Sequence, residues 1–257
     1  MYTIVTIPLI PLRATADECS EMTSQLLFGE QIEILEITEK WLYVRNLSDN
    51  YSGWIGRKTV YKKHFTESPV DTSSFSPIKA PFVVCLRSST DQKIILPGGS
   101  LVPAIKNDKF VLLDETFSIL HYKPIDTVTD PSSLIIELAT HYFNSPYLWG
   151  GKSIFGIDCS GLTQVIFSMI GVKLPRDASQ QVELGEVVDF LSEAKTGDLA
   201  FFENEDGRIV HVGILVYSHQ VIHASGTVKI EIVDSQGIIS SNTGEYTHKL
   251  RVIKRIL

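Results

Sequence analysis

In this 257-residue sequence, Cys159, His211 and His223 have the types and the sequence surroundings that can build a nucleophilic centre. Cys159 follows Asp158, a good helix N-cap, at the start of a segment with helical apolar spacing. The first turn of a helix offers free N–H groups and the positive end of the helix dipole, which favour a thiolate. An unperturbed thiol has a pKa of about 8.5. We therefore expect this position to lower the pKa of Cys159 and make it a nucleophile.

The two histidines lie in neighbouring segments that alternate as strands do. A turn at "SHQ" separates them, so both rings are expected on one face of a β-hairpin. One imidazole could then accept the thiol proton while the second imidazole orients the first. Two alternatives stay open, a buried cysteine with two packed histidines and a zinc site made of these three side chains. The short Cys or His pair spacing of typical zinc sites is missing, so no metal is expected. The histidines in polar or loop-like surroundings are predicted to be solvated: His64, His121, His219 and His248.

The elements that must position these side chains form a predicted α+β domain over residues 126–257. The apolar spacing after Cys159 predicts a buried helix over 159–170, which Gly171 ends. Asp130, directly before a proline, predicts the start of an earlier helix. "GDLAFF", "RIVHVGILVY" and "QVIHASG" then predict successive strands. Helices followed by antiparallel strands are typical of an α+β domain.

The chain before this domain is predicted to be β-rich. Residues 1–67 contain short alternating segments such as "EQIEILEI" and "KWLYVRNL", separated by turn residues, which favour a small barrel. Residues 68–81 are rich in Ser and Pro and are interpreted as a linker. "FVVCLR", "KIILPGG" and "FVLLDE" predict a second small β unit over 82–125.

Composition narrows the class of protein. With 44% hydrophobic and 21% charged residues, the chain can bury a core. A net charge of −7 without a long basic run argues against a nucleic-acid partner. No apolar run approaches the length of a bilayer span, and the N-terminal segment lacks the basic region of a secretory signal. Three scattered cysteines are too few for a disulfide framework. We expect a cytoplasmic protein, or a cell-envelope protein if a precursor segment is missing.

Six short motifs together resemble a known family: "PYLWGG", "DCSGL", "LPRDASQQ", "GDLAFF", "HVGI" and "IHASG". Their order and spacing over residues 131–226 resemble the NlpC-type cell-wall cysteine peptidases, a papain-like family. The resemblance implies a papain-like α+β peptidase domain preceded by two small SH3-like β-barrels. It also implies that Cys159 attacks an amide carbonyl, that His211 acts as base and then acid, and that His223 orients His211. No cofactor is implied, and a monomer is expected.

The resemblance also implies residues that bind the substrate. Tyr147 of "PYLWGG" is similar to a tyrosine that lines the family's site near the oxyanion. Asp158 and Ser160 correspond to residues that contact short cell-wall peptides. A further hydroxyl contact would come from Ser179, one position later than in the family's usual motif because Ala178 occupies that place.

Family members with this domain layout cut the bond after γ-D-glutamate in L-Ala-γ-D-Glu-diamino acid peptides, and they favour a free L-Ala amine. Such a site needs a carboxylate for the ammonium and an aromatic wall. Glu21 and Tyr51 resemble the residues that the family uses, although Glu18 or Glu30 could supply the same carboxylate chemistry.

The predicted function is therefore hydrolysis of small peptidoglycan-derived peptides in recycling or turnover. Whether lysine or diaminopimelate follows γ-D-Glu stays open. One rival is a cysteine-dependent amidase or acyltransferase on the same scaffold. Another, from a different class, is a noncatalytic cell-wall peptide-binding module.

Overall fold

The computed structural model describes residues 1–122 and 130–257. The chain forms two compact units, the first comprising Met1–Ile125 with Trp149–Ile154 and the second Asp126–Leu148 with Phe155–Leu257. The predicted domain boundary between residues 125 and 126 lies outside the described residues. Within the described ranges, no helix is both long and apolar enough to cross a membrane.

The first unit begins with a six-stranded antiparallel sheet in the order β1-β4-β5-β6-β2-β3. Its core is made of inward-facing aliphatic side chains, with Ile10, Ile32 and Val44 fully buried. The predicted strands "EQIEILEI" and "KWLYVRNL" correspond to β4 and β5. The strands are β1 (Tyr2–Ile4), β2 (Leu9–Arg13), β3 (Met22–Leu27), β4 (Gln31–Ile37), β5 (Trp41–Asn46) and β6 (Ser52–Gly56), followed by 3-10 turns at Arg57–Thr59 and Lys62–His64.

A second β portion completes the first unit. Its four-stranded sheet has the order β11-β12-β8-β9, and two further short strands, β7 and β10, pair with each other. Phe28 packs edge-on against Phe110 and Phe117, at ring-centroid distances of 6.0 and 5.3 Å, so both β portions share one aromatic cluster. The strands are β7 (Ser76–Pro77), β8 (Phe82–Arg87), β9 (Gln92–Pro97), β10 (Leu101–Val102), β11 (Lys109–Leu112) and β12 (Glu115–His121).

The segment Trp149–Ile154, which includes β13 (Lys152–Ser153), belongs to this first unit. The backbone N–H of Lys152 donates to Gln25 Oε1 at 2.8 Å, and its buried ammonium lies 3.1 Å from Glu30 Oε1. Gly150 has φ +78°, and a Cβ there would lie 2.3 Å from the Met22 carbonyl oxygen. Only glycine therefore fits this close approach without strain.

The second unit holds the helices and a seven-stranded sheet. Asp130 caps α1 and Asp158 caps α2, each by accepting a backbone N–H bond, as the sequence predicts. The hairpin "RIVHVGILVY" and "QVIHASG" is formed by β17 and β18, also as predicted. The elements are α1 (Pro131–Thr140), β14 (Gly156–Ile157), α2 (Cys159–Met169), α3 (Ala178–Gln181), β15 (Glu186–Val188), a 3-10 turn at Leu191–Glu193, β16 (Leu199–Glu203), β17 (Ile209–Tyr217), β18 (Gln220–Ser225), β19 (Thr227–Val233), β20 (Gly237–Ile239) and β21 (Tyr246–Arg255).

The sheet of the second unit closes on itself. Its order is β15-β21-β16-β17-β18-β19-β20, and β21 also pairs with β20. The enclosed core contains one aliphatic residue each from β17, β18 and β19. Because side chains alternate along a strand, the residue two or four positions away shares the same face. The inward-facing pairs are Leu215 with His211, Val221 with His223, and Val233 with Glu231.

Candidate active site

The start of α2 is braced from the loop before α3. Asp158 accepts a hydrogen bond from the Gly161 N–H at 2.6 Å and forms an ion pair with Arg176, whose side chain is only 2% exposed. Arg176 also donates to Ser160 Oγ at 2.9 Å. Gln181 donates to the carbonyl oxygen of Ser160 at 3.1 Å. Arg176, before α3, and Gln181, at the end of α3, therefore fix the residues on both sides of Cys159.

Cys159 is buried, with 6% of its surface exposed. Burial, and then the charge of Asp158, raises the pKa of its thiol to about 11. Backbone N–H groups of Val212 and Ser160 act against this rise without reversing it. The expectation of a lowered thiol pKa is therefore wrong for the free protein, because desolvation of the charge outweighs the helix N-terminus. The bond from Val212 places the sulfur beside β17, next to His211 in the chain.

His211 and His223 meet on the inner face of the hairpin. His211 Nε2 lies 2.9 Å from His223 Nδ1, and both rings are buried. Burial, followed by the nearby His248 and His223, holds the pKa of His211 well below its ordinary value. Burial likewise lowers the pKa of His223 to about 4. Both imidazoles are therefore neutral at pH 7, and His211 Nδ1 is the ring nitrogen not engaged with His223.

His248 of β21 belongs to the same cluster, although the sequence predicts a solvated ring. Its imidazole stacks on His211 with ring centroids 4.1 Å apart and planes inclined by 28°. Burial lowers its pKa. The prediction fails because β21 pairs with β20 and brings Ile238 opposite His248 at the rim of the closed sheet. The prediction for His64 is also wrong, since its side chain is 12% exposed and lies beside Asp114.

His211, His223 and His248 each offer a ring nitrogen within 4.8 Å of the others. Imidazole ligands suit zinc and related metals. An ion bound by two imidazoles must lie near both ring planes, whereas the planes of His211 and His248 are nearly parallel and stacked. The two rings therefore do not fit one shared ion in this arrangement.

Of the remaining predicted substrate contacts of the second unit, Tyr147 lies at this cluster. Tyr147 lines an open cleft with His211 and His248. Burial, and then the charge of Cys159, raises the pKa of Tyr147 to about 12, so its phenol stays protonated and can donate. Ser160 is buried against Arg176, whereas Ser179 lies exposed on α3. Their contacts with substrate, like that of Asp158, stay predictions.

Glu21 and Tyr51 lie in the first unit. Glu21 is exposed, and its carboxylate accepts a hydrogen bond from the indole N–H of Trp149 at 2.6 Å. Tyr51 is half-buried and packs on the first β core. Of the alternatives to Glu21, Glu30 is buried in its ion pair with Lys152, and Glu18 is an exposed side chain 3.9 Å from Arg13. Binding of the substrate amine by Glu21 and Tyr51 stays a prediction.

Sequence reasoning misses two residues that contact the histidine pair, His248 and Glu231. Glu231 Oε2 lies 2.9 Å from His223 Nε2. In "KIEIV" the apolar alternation favours isoleucines facing inward and Glu231 facing outward, which is the reverse of the observed arrangement. Neither residue carries a sequence signal, because their positions depend on long-range pairing of β19 and β21.

A buried thiol at a helix start, beside a hydrogen-bonded histidine pair on a closed antiparallel sheet, is the arrangement of a papain-like cysteine peptidase. The chain belongs to the NlpC/P60 family, a family of such peptidases. Residues 144–250 match the NlpC/P60 family, and residues 12–59 match the bacterial dipeptidyl-peptidase Sh3 domain. The predicted peptidase class, the papain-like fold and an SH3-like domain near the N-terminus are thereby confirmed.

Sequence similarity to known proteins extends over most of the chain. A Gamma-D-glutamyl-L-lysine dipeptidyl-peptidase of Bacillus subtilis (strain 168) is 31% identical over 243 residues, which cover 86% of this chain and 80% of the relative. Dipeptidyl-peptidase 6 of Lysinibacillus sphaericus is 26% identical over 261 residues, covering 92% and 93%. A crystal structure of an NlpC/P60 family protein from Bacillus cereus ATCC 10987 has a TM-score of 0.82 at 20% identity, covering 100% of both chains, and shares the fold.

Proposed function

We propose that this protein hydrolyses the bond between γ-D-glutamate and the following diamino acid in small peptidoglycan peptides with a free N-terminal L-alanine. The observation that carries the proposal is the His211–His223 pair beside Cys159. The substrate class is supported by the name of the Bacillus subtilis relative, which specifies a γ-D-glutamyl-L-lysine bond. For this chain, lysine directly after γ-D-Glu is the first choice to test.

In the proposed reaction, Cys159 Sγ attacks the carbonyl carbon of the γ-D-glutamyl amide while His211 Nδ1 takes the thiol proton. Both groups are neutral at pH 7, so the proton moves during the attack rather than before it. The backbone N–H of Cys159, in the first turn of α2, donates to the developing oxyanion. The tetrahedral intermediate then collapses, and His211 returns the proton to the departing amine.

The second half of the reaction regenerates the thiol. Loss of the diamino acid leaves a thioester between Cys159 and L-Ala-γ-D-Glu. Water attacks the thioester carbonyl while His211 takes one of its protons. Collapse of this second intermediate breaks the carbon–sulfur bond, and His211 returns the proton to the sulfur. The products are L-Ala-γ-D-Glu and the free enzyme. No redox step or external acceptor is needed.

The finer parts of the prediction also belong to this proposal. Within the first unit, the antiparallel sheet β11-β12-β8-β9 around Phe110 and Phe117 supports a second, divergent SH3-like domain over 82–125. A cytoplasmic role in recycling is supported by the net charge of −7 and by three free thiols at Cys19, Cys85 and Cys159. Fractionation of the producing cells tests the location, and sedimentation of the pure protein tests the expected monomer.

The function is tested with L-Ala-γ-D-Glu-L-Lys and its N-acetylated form. Each is incubated with the intact protein and with Cys159→Ala, and mass spectrometry measures released L-Ala-γ-D-Glu. Cleavage of only the free-amine peptide, by only the intact protein, supports the proposal. Cleavage of both peptides keeps the nucleophile but contradicts amine recognition by Glu21 and Tyr51. If neither lysine peptide is cut, the corresponding diaminopimelate peptide is tested in the same way. If that peptide is also left intact, the proposal fails, and an amidase or acyltransferase reaction on other amides becomes the better hypothesis.

A further inference from the structure

Glu231 is a charged residue that faces the interior of the closed sheet. It is 4% exposed, whereas its neighbours Ile230 and Ile232 are 38% and 55% exposed. Burying a carboxylate while exposing two isoleucines is unfavourable for folding unless the carboxylate has strong partners. This reversed orientation calls for an explanation in the surroundings of Glu231.

Both oxygens of Glu231 accept hydrogen bonds. Oε1 accepts from the Ser241 N–H and hydroxyl, each at 2.9 Å, and lies 3.2 Å from Lys229 Nζ. Oε2 lies 2.9 Å from His223 Nε2. Burial acts to raise the pKa of Glu231, but these bonds outweigh it and bring the pKa to about 2. Glu231 is therefore an ionised carboxylate at neutral pH, and an ionised carboxylate only accepts hydrogen bonds.

This fact fixes the direction of the neighbouring hydrogen bonds. His223 Nε2 must carry a hydrogen, because it faces an acceptor. Since the ring is neutral, its Nδ1 is bare and can only accept. His211 Nε2, 2.9 Å away, must then carry the hydrogen of that bond. The neutral His211 ring is left with a bare Nδ1, which is the form that a general base requires.

We propose that Glu231 is a positioning residue that sets the tautomers of His223 and, through it, of His211, so that His211 Nδ1 presents a lone pair to Cys159. The inference rests on the proposed thiol mechanism. Ser241 supports Glu231 in this role, because its N–H and hydroxyl donate to Glu231 Oε1 and thereby direct Glu231 Oε2 towards His223.

Glu231→Gln distinguishes this role from a purely structural one. The two Ser241 donors require an oxygen, so the amide oxygen stays on Ser241 and the NH₂ group faces His223 Nε2. His223 must then accept at Nε2 and carry its hydrogen on Nδ1. His211 Nε2 becomes the acceptor of the next bond, and the hydrogen moves to His211 Nδ1. The ring would then present an N–H to the thiol instead of a lone pair.

The first measurement is the ¹⁵N NMR spectrum of histidine-labelled protein at pH 7, which identifies the protonated nitrogen of each neutral ring. Assignment uses the single variants His211→Asn and His223→Asn. The wild type should show Nε2–H on His211 and His223, and Glu231→Gln should show Nδ1–H on both. A hydrogen on Nδ1 of either ring in the wild type overturns the proposal, even if the variant does not fold.

The second measurement is peptide cleavage. Glu231→Gln should lower kcat by about 10²- to 10⁴-fold with KM changed less than threefold, the scale seen when a triad histidine is held in the wrong tautomer. Ser241→Ala, which keeps the backbone donor and the carboxylate, should stay within about tenfold of wild type. Unchanged tautomers and a kcat within threefold in a folded Glu231→Gln would overturn the proposal.

These readouts separate the two proposals. If the wild type cleaves no γ-D-glutamyl peptide but the tautomers reverse in Glu231→Gln, the positioning role stands and the proposed substrate fails. If the wild type cleaves the peptide and the tautomers do not reverse, the substrate stands and the positioning role fails.

Discussion

Lys152→Met is expected to destabilise the first unit by about 3–5 kcal/mol. The side chains of Lys152 and Glu30 are 4% and 8% exposed, and their charged groups lie 3.1 Å apart. Removing one partner of a buried ion pair leaves the other charge desolvated and uncompensated, which costs about 3–5 kcal/mol. Against a typical unfolding free energy of about 5–15 kcal/mol, this is a large fraction of the stability.

The three tryptophans of the chain provide a specific assay, because all of them lie in the first unit: Trp41, Trp54 and Trp149. Urea unfolding followed by tryptophan fluorescence therefore reports that unit. We expect the midpoint of Lys152→Met to fall while the slope stays unchanged, since the folded state buries nearly the same surface.

The matched control is Lys152→Met combined with Glu30→Gln. Glutamine removes the buried charge and keeps an oxygen for the Leu27 N–H, which donates to Glu30 Oε2 at 2.7 Å. The double variant should recover most of the lost stability. A loss below about 1 kcal/mol in the single variant, or a double variant less stable than the single one, would refute the reasoning about a desolvated charge.

Three further predictions concern the second unit. Because burial raises the pKa of Cys159 to about 11, its alkylation by iodoacetamide should be slow at pH 7 and rise about tenfold per pH unit towards that value; a rate plateau between pH 5 and 8, measured by mass spectrometry, would reveal a thiolate–imidazolium pair instead. Burial lowers the pKa of His223 from 6.5 to about 4, so unfolded chains take up the proton first as the pH falls. The second unit then loses up to about 3 kcal/mol of stability between pH 6.5 and 4, and urea midpoints followed by far-UV circular dichroism should fall less in His223→Gln. Arg176→Met should cost about 3–5 kcal/mol by leaving Asp158 buried without its partner; Arg176→Lys should not restore the melting temperature, because an ammonium cannot replace a two-pronged guanidinium bond.

Local signals explain which features the sequence predicts. Helix α2, its cap Asp158 and the hairpin that carries His211 and His223 depend on short-range spacing and on a turn, and all of them follow from the sequence. Three of the six quoted motifs, "DCSGL", "HVGI" and "IHASG", lie on these elements.

Features set by long-range pairing do not follow from the sequence. His248 reaches the histidine pair because β21 closes the sheet against β20. Glu231 faces inward because the register of β19 against β18 sets its face, against the hydrophobic pattern. The raised thiol pKa of Cys159 does not follow from the sequence for a related reason, since desolvation depends on packing around the helix start and not on the helix alone.

The position of Lys152 also bears on how the chain folds during synthesis. A ribosome releases the chain from its N-terminus, and domains usually fold in that order. Here the buried carboxylate of Glu30 gains its cation only after residue 152 is released, when α1 (Pro131–Thr140) of the second unit has already left. The first unit therefore stays incomplete until the second is partly made. Cutting the gene at residue 126 would separate Glu30 from Lys152, so recombination cannot exchange the two units as independent cassettes at that point.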